Sequence, residues 1–238
     1  EAFAALGLGE LAAITGDVEL KKKAASFALA FYQHQGDLGQ YPEKWHHASR
    51  PSIALAPAMI QLNLSQSLEQ SSGCPLGMTL RDSAIEQIKK CVKDNAVYEM
   101  VSPDGTPIDS FDGRTLNPGH ALEAAWFVMK EATSRLDDQG QPDADLAELG
   151  LSMAERSWQK GWDAEHGGIL YFVSADGRPI QEYWQNQKFW WPQCEAILAA
   201  LSAWRLSGDD LWLERAQMAW QWLNDFHRDS TLGECFGW

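Results

Sequence analysis

The sequence has little of several features that mark common classes of protein. It contains only four cysteines in 238 residues, and they form no CxxC pair. This spacing excludes the usual zinc-binding patterns and predicts free thiols in a reducing compartment. No apolar run reaches the length of a membrane span, and no signal peptide is visible. We therefore expect a cytoplasmic protein with no bound metal and no membrane partner.

Basic residues are scarce as well. The net charge is −14, and the main basic cluster, Lys21–Lys23, is interpreted as a solvated helix face. This charge balance argues against a nucleic-acid partner or an anionic membrane surface. The sequence also lacks a glycine-rich phosphate loop, so its residues predict no nucleotide site.

Helical periodicity is the dominant feature that is present. Apolar residues make up 45% of the chain and recur at helical spacing over most of it. The 12 tryptophans are spread along the chain, and such rings fill helix cores or line sugar-binding clefts. Asp17 and Asp209 are candidate N-caps. The pattern predicts an all-α protein with about eight helices, near residues 1–14, 17–34, 52–70, 79–96, 118–136, 143–160, 190–207 and 209–227.

Two short segments carry strand signals and resemble each other. VYEMVSPDGTPI (97–108) and ILYFVSADGRPI (169–180) each place an Asp-Gly turn between β-prone residues. That pattern predicts a β-hairpin in each segment. Both contain Ser-x-Asp-Gly-x-Pro-Ile, and two predicted helices lie between them.

A further repeat lies near the end of the sequence. WDAEHGGILYF (162–172) resembles RDSTLGECFGW (228–238), with Asp163 matching Asp229. The repeat unit is therefore a helix pair with a hairpin on one side, and such units bury their apolar faces by stacking or by closing into a ring. We expect one domain over residues 1–238, a toroid of paired helices with β-hairpins on one rim. The last hairpin is unfinished, so the ring is expected to be incomplete.

The stretch RTLNPGHALEAAWFVM (114–129) combines a helix start with ionisable residues. Asn117 is a good N-cap, and Gly119 permits a close approach to the backbone. His120 falls in the first turn, where unpaired amides and the helix dipole disfavour imidazolium and keep the ring neutral. Glu123 lies on the same helix face and can orient the ring or bind a substrate. On spacing alone, a structural histidine at an ordinary helix start is an open alternative.

The stretch YWQNQKFWWPQCEAI (183–197) is the second dense segment. Aromatic faces with a few polar groups suit the CH faces and hydroxyls of a sugar. The alternative is an aromatic core with a helix-terminal carboxylate that the dipole favours. The side chains that can line the same cavity as the histidine are Trp184, Lys188, Trp191 and Glu195.

Several of these motifs resemble one protein family. NPGHALEAAWF is similar to the signature of the N-acylglucosamine 2-epimerase family, whose animal members are also called renin-binding proteins. GWDAEHGGILYFVSADG, KFWWPQCEAI, FHRDSTLGECFGW and the opening EAFAALGLGELAAITGD resemble further family segments, in the same order. The resemblance covers essentially the whole sequence. It implies an (α/α)6 barrel of twelve helices, and therefore a chain truncated at both ends.

The resemblance also implies a reaction. The family interconverts N-acetylglucosamine and N-acetylmannosamine, by removing a proton from C2 of the ring-opened sugar and returning one to the other face. An imidazole suits this proton transfer at neutral pH. His120 and Glu123 match the catalytic positions, and the expected substrate-binding residues are Asn117, Trp184, Lys188, Trp191, Glu195 and Arg50.

The second family histidine lies in a His-x-Pro-Arg segment that does not occur in this sequence. His227 is not that residue by context, and we interpret it as a surface group at a helix end. The 238 residues alone are therefore expected to be inactive. The family resemblance further implies that no cofactor is required, that ATP is an allosteric activator, and that the protein is a homodimer.

Other functions stay open at this point. Related members act on cellobiose or on free mannose, as epimerases or isomerases. A glycoside hydrolase on the same barrel would use Glu123 and Glu195 as its carboxylate pair, but it gives His120 no role. A non-catalytic protein of the renin-binding kind would fold normally without turnover. The histidine favours the sugar 2-epimerase.

Overall fold

The computed structural model describes residues 1–34, 51–72 and 78–237. Arg50, a candidate substrate-binding residue, lies outside these ranges. The chain divides into two compact units, Glu1–Ile88 and Lys89–Trp238. The single domain expected over residues 1–238 stays a prediction.

Helices dominate the described residues, which confirms the predicted all-α class of paired helices. The fourth helix ends at Cys91 rather than at residue 96, because residues 92–97 turn back as a hairpin. A four-residue helix that periodicity cannot reveal is capped by Ser110, whose hydroxyl accepts from the Gly113 amide at 3.0 Å. No helix in the described ranges is both long and apolar enough for a membrane span. The helices are α1 Ala2–Thr15, α2 Val18–His34, α3 Leu55–Ser72, α4 Met78–Cys91, α5 Phe111–Arg114, α6 Pro118–Ser134, α7 Ala144–Gly161, α8 Trp190–Ser207 and α9 Asp210–Phe226.

The strands are short and lie between the helices. Strand β2 (Val92–Lys93) pairs with β3 (Ala96–Val97), and β5 (Thr115–Leu116) pairs with β6 (Val173–Ser174), both antiparallel. Their bounds are β1 Ile53–Ala54, β2 Val92–Lys93, β3 Ala96–Val97, β4 Met100–Val101, β5 Thr115–Leu116 and β6 Val173–Ser174.

In the first unit, α1 packs against α2 and α3. Small side chains let these helices approach closely while burying apolar surface. Asp17 caps α2 as predicted, because its Oδ1 accepts from the amides of Glu19 and Leu20 at 2.8 and 3.3 Å. The buried core of this unit contains Ala2, Ala5, Ala24, Ala28, Leu64 and Leu68.

In the second unit, α6 packs against α7 and α8, and α8 packs against α9. The end of α7 lies close to the start of α6, since a Cβ added at Gly161 would collide with the ring of Pro118. Asp209 caps α9 as predicted, accepting from the Leu211 amide at 3.0 Å. One core cluster of this unit contains Leu122, Trp158, Ile169, Ala196, Ala199 and Ala219.

The two Asp-Gly turns have the same local geometry, as their shared sequence predicts. The Oδ1 atoms of Asp104 and Asp176 each accept a hydrogen bond from the amide two residues later, at 2.9 and 3.0 Å. Gly105 and Gly177 have φ angles of 85° and 80°, in the left-handed region that favours glycine.

The strand next to the second turn has a different partner from the one predicted. Around the first turn, Val101 forms a bridge with Pro107, as in the expected hairpin. The strand before the second turn, β6, instead pairs with β5. The predicted hairpin over residues 169–180 is therefore wrong in its pairing, because strand and turn signals do not identify a distant partner. The β5–β6 pairing ties this loop to the segment that leads into α6.

The repeat between residues 162–172 and 228–238 is confirmed. It also explains why His227 is not at the surface. Asp163 and Asp229 each accept from two amides of the turn that follows them. The chain then returns over His227, whose Nδ1 lies 3.0 Å from the carbonyl oxygen of Phe236. His227 is 1% exposed, so the predicted surface position is wrong. Burial lowers the pKa of this ring.

Candidate active site

The candidate site begins at the N-terminus of α6. The Oδ1 of Asn117 accepts a hydrogen bond from the backbone amide of His120 at 3.1 Å, which confirms the predicted N-cap. Asn117 is only 2% exposed, and its observed hydrogen bond caps α6. Its contribution to substrate binding stays a prediction. The cap fixes the backbone from which the half-buried His120 ring projects.

The first turn of α8 meets the first turn of α6 at Gly119. A Cβ added at Gly119 would lie 2.7 Å from two carbons of the Trp191 ring. The glycine therefore permits the close approach that the sequence predicts. The Trp191 and His120 rings are 5.3 Å apart between centroids and inclined by 36°. The two dense segments of the sequence thus come together in space.

Three carboxylates influence the His120 ring. The Oε2 of Glu99 lies 3.1 Å from Nδ1 of His120. The charges of Glu123 on α6 and Glu195 on α8 also favour the protonated ring. Glu99 was not predicted from the sequence, because no motif spacing links residue 99 to residue 120. Its one signal is a lone acidic residue within the apolar run VYEMV.

The pKa of His120 shifts in the opposite direction to the one expected from a helix N-terminus alone. Burial disfavours imidazolium, but the hydrogen bond and charge of Glu99, together with Glu123 and Glu195, outweigh burial and raise the pKa of His120.

Glu123 and Glu195 repel each other as like charges. Burial and the charge of Glu195 are the main causes that raise the pKa of Glu123 to about 7. Burial also raises the pKa of Glu195, although a hydrogen bond from Nε1 of Trp126 at 2.7 Å favours its ionised form. Glu123 therefore exchanges protons near neutral pH.

A connected row of aromatic rings leads from His120 to Trp184. Tyr171 and Phe189, which sequence analysis did not select, complete it. The successive centroid distances are 5.3 Å for His120–Trp191, 6.0 Å for Trp191–Tyr171, 4.3 Å for Tyr171–Phe189 and 6.3 Å for Phe189–Trp184. The row therefore connects Trp184 and Trp191, the two tryptophans predicted to bind sugar.

Lys188 forms an ion pair with a residue of the turn that follows α7. Its Nζ lies 2.7 Å from Oδ2 of Asp163 and 5.5 Å from the centroid of the Trp222 ring. The Lys188 and Asp163 side chains are 13% and 19% exposed. The hydrogen bond from Lys188 is the main cause that lowers the pKa of Asp163 to about 2. The ammonium thus anchors this turn, and its predicted contact with substrate stays a prediction.

Gln193 is a second residue that sequence analysis missed. It is 0% exposed. Its Nε2 donates to the carbonyls of Ile169 and Phe189 at 2.9 and 3.1 Å, and its Oε1 accepts from the Ile169 amide at 2.7 Å. This amide holds the backbone beside Tyr171 against α8. The only sequence signal is a glutamine within WWPQCEAI.

The described side chains offer acid–base chemistry beside aromatic surfaces. Within residues 1–34, 51–72 and 78–237, no three His, Cys, Asp or Glu side chains are grouped to hold a metal ion. One imidazole and three nearby carboxylates can transfer protons, while tryptophan and tyrosine faces suit the CH groups of a sugar.

The sequence matches the profile of the N-acylglucosamine 2-epimerase (GlcNAc 2-epimerase) family over residues 1–237. The chain belongs to this family. It is 31% identical over 256 residues to the N-acylglucosamine 2-epimerase of Bos taurus and 32% identical over 247 residues to that of Rattus norvegicus. These alignments cover 100% of the chain but only 56% and 57% of the two family members. The chain thus spans little more than half their length.

Solved structures show the same fold at lower identity. A cellobiose 2-epimerase from Spirochaeta thermophila matches with a TM-score of 0.79 at 18% identity, covering 99% of the chain and 60% of that protein. A D-mannose isomerase matches with a TM-score of 0.76 at 18% identity, covering 99% and 62%. A GH76 alpha-mannanase from Bacteroides thetaiotaomicron matches with a TM-score of 0.69 at 12% identity, covering 96% and 61%. A cellobiose 2-epimerase, a D-mannose isomerase and an alpha-mannanase therefore share this arrangement of helices.

Proposed function

We propose that the protein is a sugar 2-epimerase that interconverts N-acetylglucosamine and N-acetylmannosamine. The observation that carries this proposal is the set of contacts around His120, a half-buried imidazole hydrogen-bonded to Glu99 and adjacent to the Trp191 ring. The names of the bovine and rat relatives support an N-acylated amino sugar as the substrate.

In the proposed reaction, His120 removes the proton from C2 of the ring-opened sugar. The C–H electron pair moves into the C1–C2 bond, and negative charge develops on the aldehyde oxygen. With a pKa of about 7, Glu123 can present a protonated carboxyl that donates to this oxygen. A proton returned to the opposite face of C2 gives the epimer. The family resemblance assigns that step to a second histidine.

The finer alternatives use the same residues. An aldose or cellobiose epimerase, or an isomerase, would also need a proton carrier beside an aromatic wall. A glycoside hydrolase would use Glu123 and Glu195, and a hydrolase shares the fold. A hydrolytic mechanism would give no function to the pairing of His120 with Glu99. A non-catalytic renin-binding-like protein would leave the whole cluster without a role.

Hydrogen–deuterium exchange at C2 tests the proposal directly. In D2O, we expect the C2–H proton NMR signal of N-acetylglucosamine or N-acetylmannosamine to disappear. His120→Asn should slow this exchange by about 10²–10⁴-fold, the usual contribution of a general acid–base group. The matched control is His166→Asn, because His166 is 68% exposed on a turn. Net conversion needs the second base, so exchange is the sharper readout.

The alternatives predict different results in the same assay. If C2 exchange occurs only with mannose or with cellobiose, the substrate is that sugar and not an N-acylated amino sugar. Hydrolysis of a mannan without exchange, lost in Glu123→Gln, would favour a glycosidase. Exchange unaffected by His120→Asn would contradict the proposed base.

Five further expectations rest on the family resemblance or on composition. We propose that Arg50 contributes to substrate binding and that the enzyme needs no cofactor. We also propose that ATP is an allosteric activator and that the protein is a cytoplasmic homodimer. Sedimentation of the full-length protein, with and without ATP, tests its oligomeric state.

A further inference from the structure

Glu99 is held by an anchored backbone. It follows the β2–β3 hairpin, in which Val92 pairs with Val97. The amide of Tyr98, which directly precedes Glu99, donates to the carbonyl of Cys91 at the end of α4, at 2.8 Å. Val97 and Tyr98 are 3% and 9% exposed. The backbone that carries the Glu99 side chain is therefore fixed within the unit that contains the candidate site.

The Glu99 carboxylate has one hydrogen-bonded partner among the described residues. Its Oε2 lies 3.1 Å from Nδ1 of His120, while its Oε1 is buried without a partner there. The Glu99 side chain is 22% exposed. Burying a carboxylate is costly unless it is paired. The contact with His120 is thus the interaction that compensates for placing this charge here.

This contact determines which ring nitrogen carries hydrogen. An ionised carboxylate can only accept a hydrogen bond, so Nδ1 of His120 must be the donor. In the neutral ring, Nε2 is then left as the proton acceptor. The Asn117 cap fixes the backbone of the histidine, and the Trp191 ring lies beside the imidazole. The ring is therefore constrained in both orientation and tautomer.

We propose that Glu99 is a positioning residue that holds His120 as the Nδ1–H tautomer and leaves Nε2 to exchange the proton at C2 of the sugar. The identity of that carbon rests on the proposed function, whereas the tautomer is a property of the protein alone. The acidic groups that act on the ring are Glu99 from the loop, Glu123 from α6 and Glu195 from α8. Among them, Glu99 makes the hydrogen bond to the ring in the described structure.

Nitrogen-15 NMR of the histidine side chains tests the proposal without any activity assay. His120→Asn assigns the His120 signals. Above its pKa, the wild-type ring should show a protonated Nδ1 and an unprotonated Nε2. In Glu99→Gln, the amide can either accept from or donate to Nδ1, so this preference should weaken. The pKa of His120 should fall by roughly one unit or more, since a neighbouring carboxylate shifts a pKa by about 1–3 units.

A matched control removes a different carboxylate near a different histidine. Glu165 is 84% exposed, and its Oε1 lies 3.9 Å from Nε2 of His166. Glu165→Gln should leave the His120 tautomer and pKa unchanged. Glu99→Asp keeps the charge but withdraws the oxygen from Nδ1, so it should weaken the tautomer preference with a smaller fall in pKa. Circular dichroism checks that each variant is folded.

The outcomes separate this proposal from the proposed function. If the His120 tautomer and pKa are unchanged in folded Glu99→Gln or Glu99→Asp, Glu99 does not position the ring. If the NMR changes occur but the wild-type protein exchanges no sugar proton at C2, the positioning role stands and the epimerase proposal fails. If both hold, the low-pH limb of kcat/KM should move downward with the His120 pKa in Glu99→Gln.

Discussion

The indole Nε1 of Trp126 donates a hydrogen bond to Oε2 of Glu195 at 2.7 Å, which joins α6 to the first turns of α8. The bond favours the ionised form of a carboxyl whose pKa burial raises. It therefore connects helix packing to the charge of the candidate site.

Trp126→Phe removes this donor while retaining an aromatic ring, and should raise the pKa of Glu195 further. A carboxyl whose folded pKa exceeds its unfolded value loses stabilising free energy as pH rises through the folded pKa. The free energy of unfolding should therefore fall by about 1–3 kcal/mol more at pH 8 than at pH 4.5. Denaturant unfolding at both pH values measures this difference. Trp204→Phe is the control, because its Nε1 makes an exposed 3.3 Å contact with Asp210.

Glu123→Gln should stabilise the protein at alkaline pH. The folded pKa of Glu123 is about 7, above its usual value of 4.5, so ionisation costs stability as pH rises from 4.5 through 7. The variant should gain roughly 1–2 kcal/mol at pH 8 and little at pH 4.5, since a unit of pKa corresponds to about 1.4 kcal/mol and the site is partly solvated. Thermal unfolding across this range is the measurement. A gain that does not depend on pH would contradict the assigned cause.

Gly119→Ala should displace Trp191, because the added methyl would lie 2.7 Å from its ring. We expect a loss of about 1–3 kcal/mol in unfolding free energy, typical of overpacking, together with altered tryptophan fluorescence. Gly7→Ala is the matched control in another helix, since a Cβ at Gly7 meets nothing within 4 Å. That change should be neutral or stabilising. Equal effects of the two substitutions would argue against the close approach.

Gln193→Leu should be strongly destabilising. It leaves the amide and the carbonyl of buried Ile169 without their side-chain partner. Each buried group left unpaired costs about 1–3 kcal/mol. The control is Gln221→Leu, because the exposed Gln221 donates to exposed Asp225 one turn later on the same helix. Chemical denaturation compares the two variants, and a loss at Gln193 no larger than at Gln221 would contradict the stabilising role of the Gln193 hydrogen bonds.

Lys188→Met and Asp163→Asn should destabilise the turn after α7 to a similar extent, and the double variant should add little. The partly buried ion pair between these residues is the reason. A double-mutant cycle on unfolding free energy measures the coupling, expected at about 0.5–3 kcal/mol for residues in contact. Additive losses would show that each residue acts separately. Sugar binding by folded Lys188→Met then tests whether Lys188 also contacts substrate.

Local signals predicted local structure well. Asn117 caps α6 and Gly119 admits a ring because both depend on a few neighbouring residues. The partner of β6 and the contact between Glu99 and His120 depend on segments distant in sequence, which periodicity does not encode. His227 was misjudged for the same reason, since the residues that cover it follow the helix.

The acidic residues around His120 also bear on which ligands the candidate site would accept. A sugar phosphate or a sugar acid would bring another negative charge to a place where Glu123 already binds a proton unusually tightly because of burial and Glu195. A neutral sugar adds no such repulsion, and an amine-bearing analogue would be attracted. We therefore expect the cluster that we propose to exchange protons to disfavour anionic sugars.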